Sequence, residues 1–221
     1  MILSVCAALV VLSGLTTGAP QPPATIENPC RDISFFIQTF PPLDTQITAT
    51  IETVRGANFS AIALIAALRG NGYLTADDIE MLNPDVTNLP GLPLTVHTDV
   101  LSVEKIVDFC RQAYHDISIH TVYVQEALSE QVAMDGRLLE DELGQLESKL
   151  LSLLCKIHTL LKSKGETITS FVDASVMPSA IKNIQDSTLR YMRNFILGKD
   201  TTIFLDNLET NFITLLNEAQ A

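Results

Sequence analysis

Residues 139–160 read LEDELGQLESKLLSLLCKIHTL and carry the clearest structural signal in the chain. The apolar residues of this stretch recur at intervals of four and three, the spacing of one continuous apolar seam on a helix packed among other helices. The seam consists of Leu139, Leu143, Leu146, Leu150, Leu153, Ile157 and Leu160. Gly165 follows soon after and marks the C-terminal end of the helix. The pattern predicts a long amphipathic helix over residues 137–163.

Three further stretches have the same helical period. One apolar stripe runs from Ile47 to Leu68, another from Val103 to Leu128, and a third from Leu205 to Leu216. Because proline is tolerated only in the first turn of a helix, we start the first helix near Pro42. The chain has no strand-like alternation and no internal repeat. We therefore predict an all-α fold, with long helices at roughly 42–69, 100–130, 137–163 and 194–219.

The lengths of the connections predict the topology. Little more than residues 131–137 joins the second helix to the third, so these two must be antiparallel neighbours. The first and third connections, 70–99 and 165–194, each have about thirty residues, enough to run the length of a bundle. The order long, short, long favours an up-up-down-down bundle with two long crossover loops, the connectivity of long-chain four-helix cytokines.

The N-terminus resembles a secretory signal. Residues 2–15 are almost wholly apolar but too few to span a bilayer, and small residues follow up to Ala19. We predict a signal peptide over 1–18, with residues 19–221 forming a single domain. The expectation is therefore a secreted, extracellular protein that is soluble, monomeric and not inserted in a membrane.

Charge and motifs exclude several classes of function. Fourteen basic and twenty-six acidic residues give a net charge of −12, and such an acidic chain is a poor candidate for binding nucleic acid or an anionic membrane. No glycine-rich phosphate loop, GxSxG motif or HExxH motif occurs. His115 and His120 are five residues apart and do not share a helical face, so we expect no metal site. We predict no catalytic residues, no cofactor and no enzymatic activity.

The cysteines and one sequon suit an extracellular protein. Loss of the leader removes Cys6 and leaves Cys30, Cys110 and Cys155, which suggests one disulfide and one remaining thiol. Asn58-Phe59-Ser60 is the only glycosylation sequon, and we expect Asn58 to carry a glycan unless it lies in the middle of a helix.

Several local patterns, taken in order, resemble the interleukin-6 cytokine family, in the branch of leukaemia inhibitory factor, oncostatin M and ciliary neurotrophic factor. They cover most of the chain after the leader. The patterns are Asn28-Pro29-Cys30, Val54-Arg55-Gly56-Ala57-Asn58, Asn83-Pro84-Asp85-Val86-Thr87-Asn88-Leu89-Pro90, Leu153-Leu154-Cys155-Lys156 and the stretch from Phe204 to Ala219.

The resemblance implies a disulfide and two receptor contacts. Cys30 and Cys155 match the family's paired positions, which leaves Cys110 as a free thiol on the core stripe. One surface, on the first and third helices, is similar to the one that engages glycoprotein 130, and here it contains Gln46, Thr53, Ser148 and Ser152. At the start of the fourth helix the family uses an exposed phenylalanine and a nearby lysine to dock the leukaemia inhibitory factor receptor.

In this sequence those two positions match Phe195 and Lys199. The lysine comes four residues after the phenylalanine instead of three, and Gly198 holds the family's lysine position. The alternative for Phe195 is packing beneath the second crossover. The family also has a disulfide between the first crossover and the fourth helix. This sequence lacks it, since Asn83 and Thr202 stand near the positions of its two cysteines.

The resemblance implies a secreted cytokine that bridges these receptors and triggers JAK-STAT signalling. Two other classes stay open at this point. One is a secreted helical carrier for an apolar ligand, which would need a cavity where the leucine seam predicts a filled core. The other is a different member of the interleukin-6 family.

Overall fold

A computed structural model describes Cys30 and residues 39–82, 87–97, 101–168 and 172–221. Helices supply all the regular secondary structure of these residues, which confirms the predicted all-α fold. The α-helices are α1 (Leu43–Gly70), α2 (Ala76–Met81), α3 (Ile106–Met134), α4 (Glu140–Ser163) and α5 (Ser187–Ala219). Short 3-10 turns occur at Val103–Lys105, Ala174–Val176 and Ser179–Ile181. The predicted signal peptide lies outside the described residues.

The start of α5 differs most from the sequence prediction. The helix begins at Ser187 and not near residue 194, because the Asp186 side chain caps it by accepting a hydrogen bond from the Leu189 amide at 3.0 Å. Polar residues dominate this first turn, so apolar periodicity gave no sign of it. Phe195 therefore lies more than two turns inside α5.

The connection between α3 and α4 is a tight reversal. Gly136 and Arg137 adopt left-handed backbone angles, with φ of 63° and 68°, and the Arg137 amide donates to the Gln131 carbonyl at 3.1 Å. The Gln131 side chain closes the turn, since its Nε2 donates to Asp135 at 2.7 Å and its Oε1 accepts from the Leu139 amide at 3.3 Å. The predicted antiparallel arrangement of these two helices follows from so short a turn.

The four long helices pack around one apolar core. Every residue of the α4 seam is fully buried, from Leu139 through Leu160. α1 packs against α4 and α5, while α3 packs against α4 and, less extensively, against α5. Burying one side chain of this size stabilises the folded state by roughly 1.5–3 kcal/mol. The seam therefore supplies much of the free energy that holds α4 in the core.

Contacts between helices fix their relative directions. On α1 and α5, Arg55 pairs with Glu209 and Asn58 pairs with Asp206, so residue numbers rise on one helix as they fall on the other. The same holds for α3 and α5, where the ring pairs are His120–Phe204 and Phe109–Phe212. Both α1 and α3 are thus antiparallel to α5.

Of the helices in the described residues, α1 is the one whose length and apolar composition would suffice to cross a membrane. Residues 56–68 of α1 contain no charged side chain. The sequence was expected to give a protein that is not inserted in a membrane. One side of α1 lies in the core, where Val54, Ala57, Ala61 and Leu64 are fully buried, and a core helix has the same composition as a spanning one.

Candidate functional site

The first predicted contact surface lies between α1 and α4. A Cβ atom placed on Gly56 would lie 3.9 Å from Cδ of Lys149, which sets the register of the two helices. Helices α4 and α5 are both antiparallel to α3 and so run in the same direction. Because α1 is antiparallel to α5, it is antiparallel to α4 as well. Thr53, one turn before Gly56, is therefore level with Ser152, one turn after Lys149. The structure brings these two predicted residues to one face.

The four polar residues of this face differ in exposure. Ser148 and Ser152 are exposed, whereas Gln46 and Thr53 are half-buried. Gln46 donates from Nε2 to the Pro41 carbonyl at 2.7 Å, and Thr53 donates to the Ala49 carbonyl at 2.8 Å. Ser148 borders a surface depression on α4 that is also lined by Glu140, Asp141, Gly144, Gln145 and Lys149. Ser152 likewise donates to the Ser148 carbonyl at 2.8 Å. The two serines therefore differ from Gln46 and Thr53 in their exposure, not in being without a hydrogen bond to their own helix.

The predicted exposed anchor at Phe195 is wrong. Phe195 is 2% exposed and packs in the core, with the Arg69 guanidinium 5.0 Å from its ring centroid. The physical reason is the early start of α5, which draws residue 195 from the end of the bundle into its packed interior. The alternative for Phe195 was packing beneath the second crossover; the ring is buried, as that alternative requires, and it contacts Arg69 of α1.

Gly198 stands at the position where the resemblance places a lysine. A Cβ atom on Gly198 would approach Cγ1 of Ile65 to 2.8 Å and the Ala61 carbonyl oxygen to 3.4 Å. Glycine at this point lets α5 lie close against α1, and a lysine would not fit there.

Lys199 is not beside an exposed ring either. Its ammonium donates to the Thr87 carbonyl at 2.6 Å and to Asn88 Oδ1 at 3.0 Å, and it lies 3.1 Å from the Asp200 carboxylate. Asp200 is fully buried and accepts a hydrogen bond from the Leu89 amide at 2.7 Å. Burial raises the pKa of Asp200. The pair Lys199–Asp200 therefore holds the first crossover against α5.

Two residues of α3 hold the same crossover. Fully buried His120 lies 2.9 Å from the Pro93 carbonyl through Nε2 and 3.0 Å from the Thr201 hydroxyl through Nδ1. Burial lowers the pKa of His120 to about 4, so the ring is neutral near neutral pH. Tyr123 donates its hydroxyl proton to the Pro90 carbonyl at 2.6 Å. These roles were not predictable from the sequence, because a polar residue on an apolar stripe does not reveal its partner.

Buried ion pairs hold the second crossover. Arg190 pairs with Asp135, and Arg193 pairs with Glu130 at 2.5 Å; the side chains of all four are at most 5% exposed. Arg190 also donates to the Ile184 and Gln185 carbonyls, and Glu130 accepts from the Asn183 amide. The segment before α5 is thereby tied to the end of α3.

The predicted disulfide between Cys30 and Cys155 is present, with a Cα–Cα distance of 5.2 Å. It links the region before α1 to α4. Cys110 is a buried free thiol on α3, and burial raises its pKa to about 12. A thiol with so high a pKa is unreactive and packs as a small apolar side chain.

Asn58 lies in the middle of α1, and its Nδ2 donates to Asp206 at 2.6 Å. A glycan would be attached to that same nitrogen, so the contact with α5 opposes the predicted modification of the folded chain.

Two further observations concern titratable residues in the part of the chain that the structure describes. Among the described residues, no group of three or more histidine, cysteine, aspartate or glutamate side chains is arranged to hold a metal ion. Exposed His115 lies beside buried Asp116, whose pKa is raised by burial, and Gln112 donates to that carboxylate at 2.9 Å.

Comparison with known proteins adds no neighbour: no family model, curated protein or solved structure matches the chain.

Proposed function

We propose that this chain is a secreted cytokine of the leukaemia inhibitory factor branch of the interleukin-6 family, built as an up-up-down-down four-helix bundle. In this proposal it binds and bridges cell-surface receptors of the glycoprotein 130 and leukaemia inhibitory factor receptor type, and so triggers JAK-STAT signalling. The sequence patterns quoted above supply the family and the receptors.

The observation that carries the proposal is the set of helix directions. Helices α1 and α3 each run antiparallel to α5, and α3 runs antiparallel to α4 across a five-residue turn (Asp135 to Leu139). Long segments precede α3 and α5, as two crossovers require. The Cys30–Cys155 bridge adds support, because the resemblance implied this pairing.

The α1–α4 surface is our candidate for the glycoprotein 130 contact. Ser148 and Ser152 are small and exposed, so a partner helix or loop can approach the backbone of α4 closely. Half-buried Gln46 and Thr53 lie on the adjoining side of α1. Such a polar surface suits a reversible contact better than a permanent one.

The second receptor requires an anchor other than Phe195. Exposed apolar side chains are present at the end of the bundle where α4 and α5 begin: Leu138 is 51% exposed and Leu189 is 53% exposed. An exposed apolar side chain contributes to binding when a partner covers it, because its apolar surface is then removed from water. We assign the second receptor contact to this end, with Leu138 and Leu189 as its apolar anchors.

Surface plasmon resonance with the two receptor ectodomains tests both assignments. The double variant Gln46→Arg/Ser152→Arg should lose glycoprotein 130 binding and retain the other receptor. The double variant Leu138→Ser/Leu189→Ser should show the reverse. Thr210→Arg/Thr214→Arg, on exposed positions of α5, is the matched control and should bind both receptors normally. Absence of wild-type binding to either receptor refutes the proposal, and normal binding by a variant refutes the surface that it changes.

The carrier alternative has no observation in its favour. The depression that Ser148 borders is open to solvent, and so is a second depression between α3 and α4, lined by Gln125, Leu128, Ser129, Val132, Ala133 and Glu147. The α4 seam is packed in the core.

A further inference from the structure

The outer side of α1 carries a second regular stripe that is exposed along its length, with Arg55 at its edge paired to Glu209 of α5. Its members recur at intervals of three and four, and every one is exposed. This outer stripe consists of Glu52, Arg55, Phe59, Ile62, Ala66 and Arg69. Its spacing is that of a helix seam made to pack along another helix.

The centre of the outer stripe is apolar. Phe59 is 75% exposed and Ile62 is 49% exposed, and Ile203 of α5 adds a further side chain that is 42% exposed. Ile203 is level with Ile62 along the bundle, because α5 meets α1 at Asn58–Asp206 on one side of this level and at Ile65–Gly198 on the other. A helix that is apolar on all sides is normally buried on all sides, and such a patch marks an interaction surface.

The ends of the outer stripe carry opposite charges. Glu52 precedes the midpoint between Phe59 and Ile62 by the same number of residues as Arg69 follows it. Neither Glu52 nor Arg69 makes an ion pair with any residue that the structure describes. The stripe is therefore self-complementary: a copy of α1 laid along it in the opposite direction would bring each glutamate to the other copy's arginine.

We propose that this face is a dimer interface, in which two copies of the chain pack α1 against α1 in antiparallel orientation about a two-fold axis. Symmetry makes every contact occur twice. Phe59 then packs on Ile62 of the second copy, and Glu52 pairs with Arg69 of the second copy. Arg55 faces Ala66, whose small side chain leaves room for the arginine stem.

Charge complementarity lies within the outer stripe itself. Two chains with a net charge of −12 repel each other, but Glu52 and Arg69 have opposite charges at the two ends of the stripe, and Arg55 is already neutralised by Glu209 of α5 at 2.7 Å. The contact is small, since it involves essentially one helix from each copy. Interfaces below about 1,200 Å² are weak, so we expect micromolar self-association, not an obligate dimer.

Sedimentation velocity over a concentration series from about 10 µM to about 1 mM tests the proposal. The weight-average mass of the wild-type chain should rise towards that of a dimer. Glu52→Arg and Arg69→Glu should each weaken dimerisation about tenfold, because the substitution acts twice in a two-fold dimer. The double variant Glu52→Arg/Arg69→Glu should restore it, since the pair is then reversed in both copies. Glu104→Arg makes the same charge change at an exposed residue outside the stripe and should leave dimerisation unchanged.

Far-UV circular dichroism and melting of each variant separate lost association from lost folding. This matters for Arg69→Glu, since Arg69 also lies over the Phe195 ring; Glu52→Arg has no such contact and carries the test alone if needed. Three results overturn the proposal: a wild-type chain that stays monomeric throughout, single reversals that dimerise normally, or a double variant that fails to recover. A monomer that floats with phosphatidylcholine vesicles, and no longer does so as Phe59→Ser, also overturns it and assigns the stripe to a membrane surface.

Discussion

Acidification should destabilise this protein through His120. The ring is fully buried, and its geometry fits one neutral tautomer: Nε2–H donates to the Pro93 carbonyl at 2.9 Å and Nδ1 accepts from the Thr201 hydroxyl at 3.0 Å. Phe204 stacks on the ring with centroids 4.5 Å apart. No carboxylate is among these contacts, so a proton added to the ring would create a poorly solvated charge.

The magnitude follows from the two pKa values of this histidine. Its pKa is about 4 in the folded protein and 6.5 in the unfolded chain. A base with a lowered folded pKa contributes stability above the unfolded value and loses it as pH falls towards the folded value. Between pH 7.5 and pH 5.5 the loss is about 1.4 kcal/mol, and it reaches about 3 kcal/mol below pH 4.

Urea unfolding of the wild type and of His120→Gln, at both pH values, isolates this contribution. Burial raises the pKa of Asp116 and of Asp200, which favours the folded state in acid and acts in the opposite direction. The pKa of His158 is also lowered by burial. These groups are common to both proteins, so they cancel when the pH effect of the variant is subtracted from that of the wild type.

The difference between the two proteins should be about 1.4 kcal/mol, with the wild type losing more stability at pH 5.5. Equal pH effects in wild type and variant would refute the reasoning and place His120 in contact with water. A larger loss in the variant would also refute it, because the sign would then be reversed.

Three substitutions test other contacts by thermal or urea unfolding. Gly198→Ala should destabilise the folded protein by about 1 kcal/mol. Overpacking against Ile65 costs roughly 1–3 kcal/mol, and the higher helix propensity of alanine offsets about 1 kcal/mol of this. A variant more stable than the wild type would show that α5 can move away from α1. Asp135→Asn should cost about 3–5 kcal/mol by leaving the buried Arg190 guanidinium without its carboxylate, and a loss under 1 kcal/mol would mean that water reaches the pair. Cys30→Ser should cost about 2–5 kcal/mol, and non-reducing peptide mapping of the wild type that found Cys110 in a bridge would contradict the assignment.

The helices were predictable from sequence because each long helix must bury one apolar side, and that need repeats every three to four residues. The α4 seam from Leu139 to Leu160 is the clearest case. The Cys30–Cys155 bridge came from the family resemblance and not from spacing. The approximate ends of α1 and α4 were also accessible, since Pro42 and Gly165 mark them.

The candidate site was harder because exposure depends on where a helix begins. The polar first turn of α5 is fixed by the Asp186 cap, which periodicity does not detect, and this shift turns Phe195 from an expected anchor into a core residue. The partners of Asp200 and His120 lie in a loop more than twenty residues away along the chain. Only the folded structure reveals such pairings, because nothing in a local pattern encodes them.

The attachment of the first crossover to α5 has a consequence for the order of events during biosynthesis. Leu89 depends on Asp200, and Val96 depends on Asn207, so this loop lacks its acceptors until nearly the whole chain has left the ribosome. Contacts of such long sequence separation form slowly. The apolar side of α1 must likewise wait for α5, the last helix to emerge. We therefore expect the nascent chain to complete its fold only after release from the ribosome, with α1 available to chaperones in the interval.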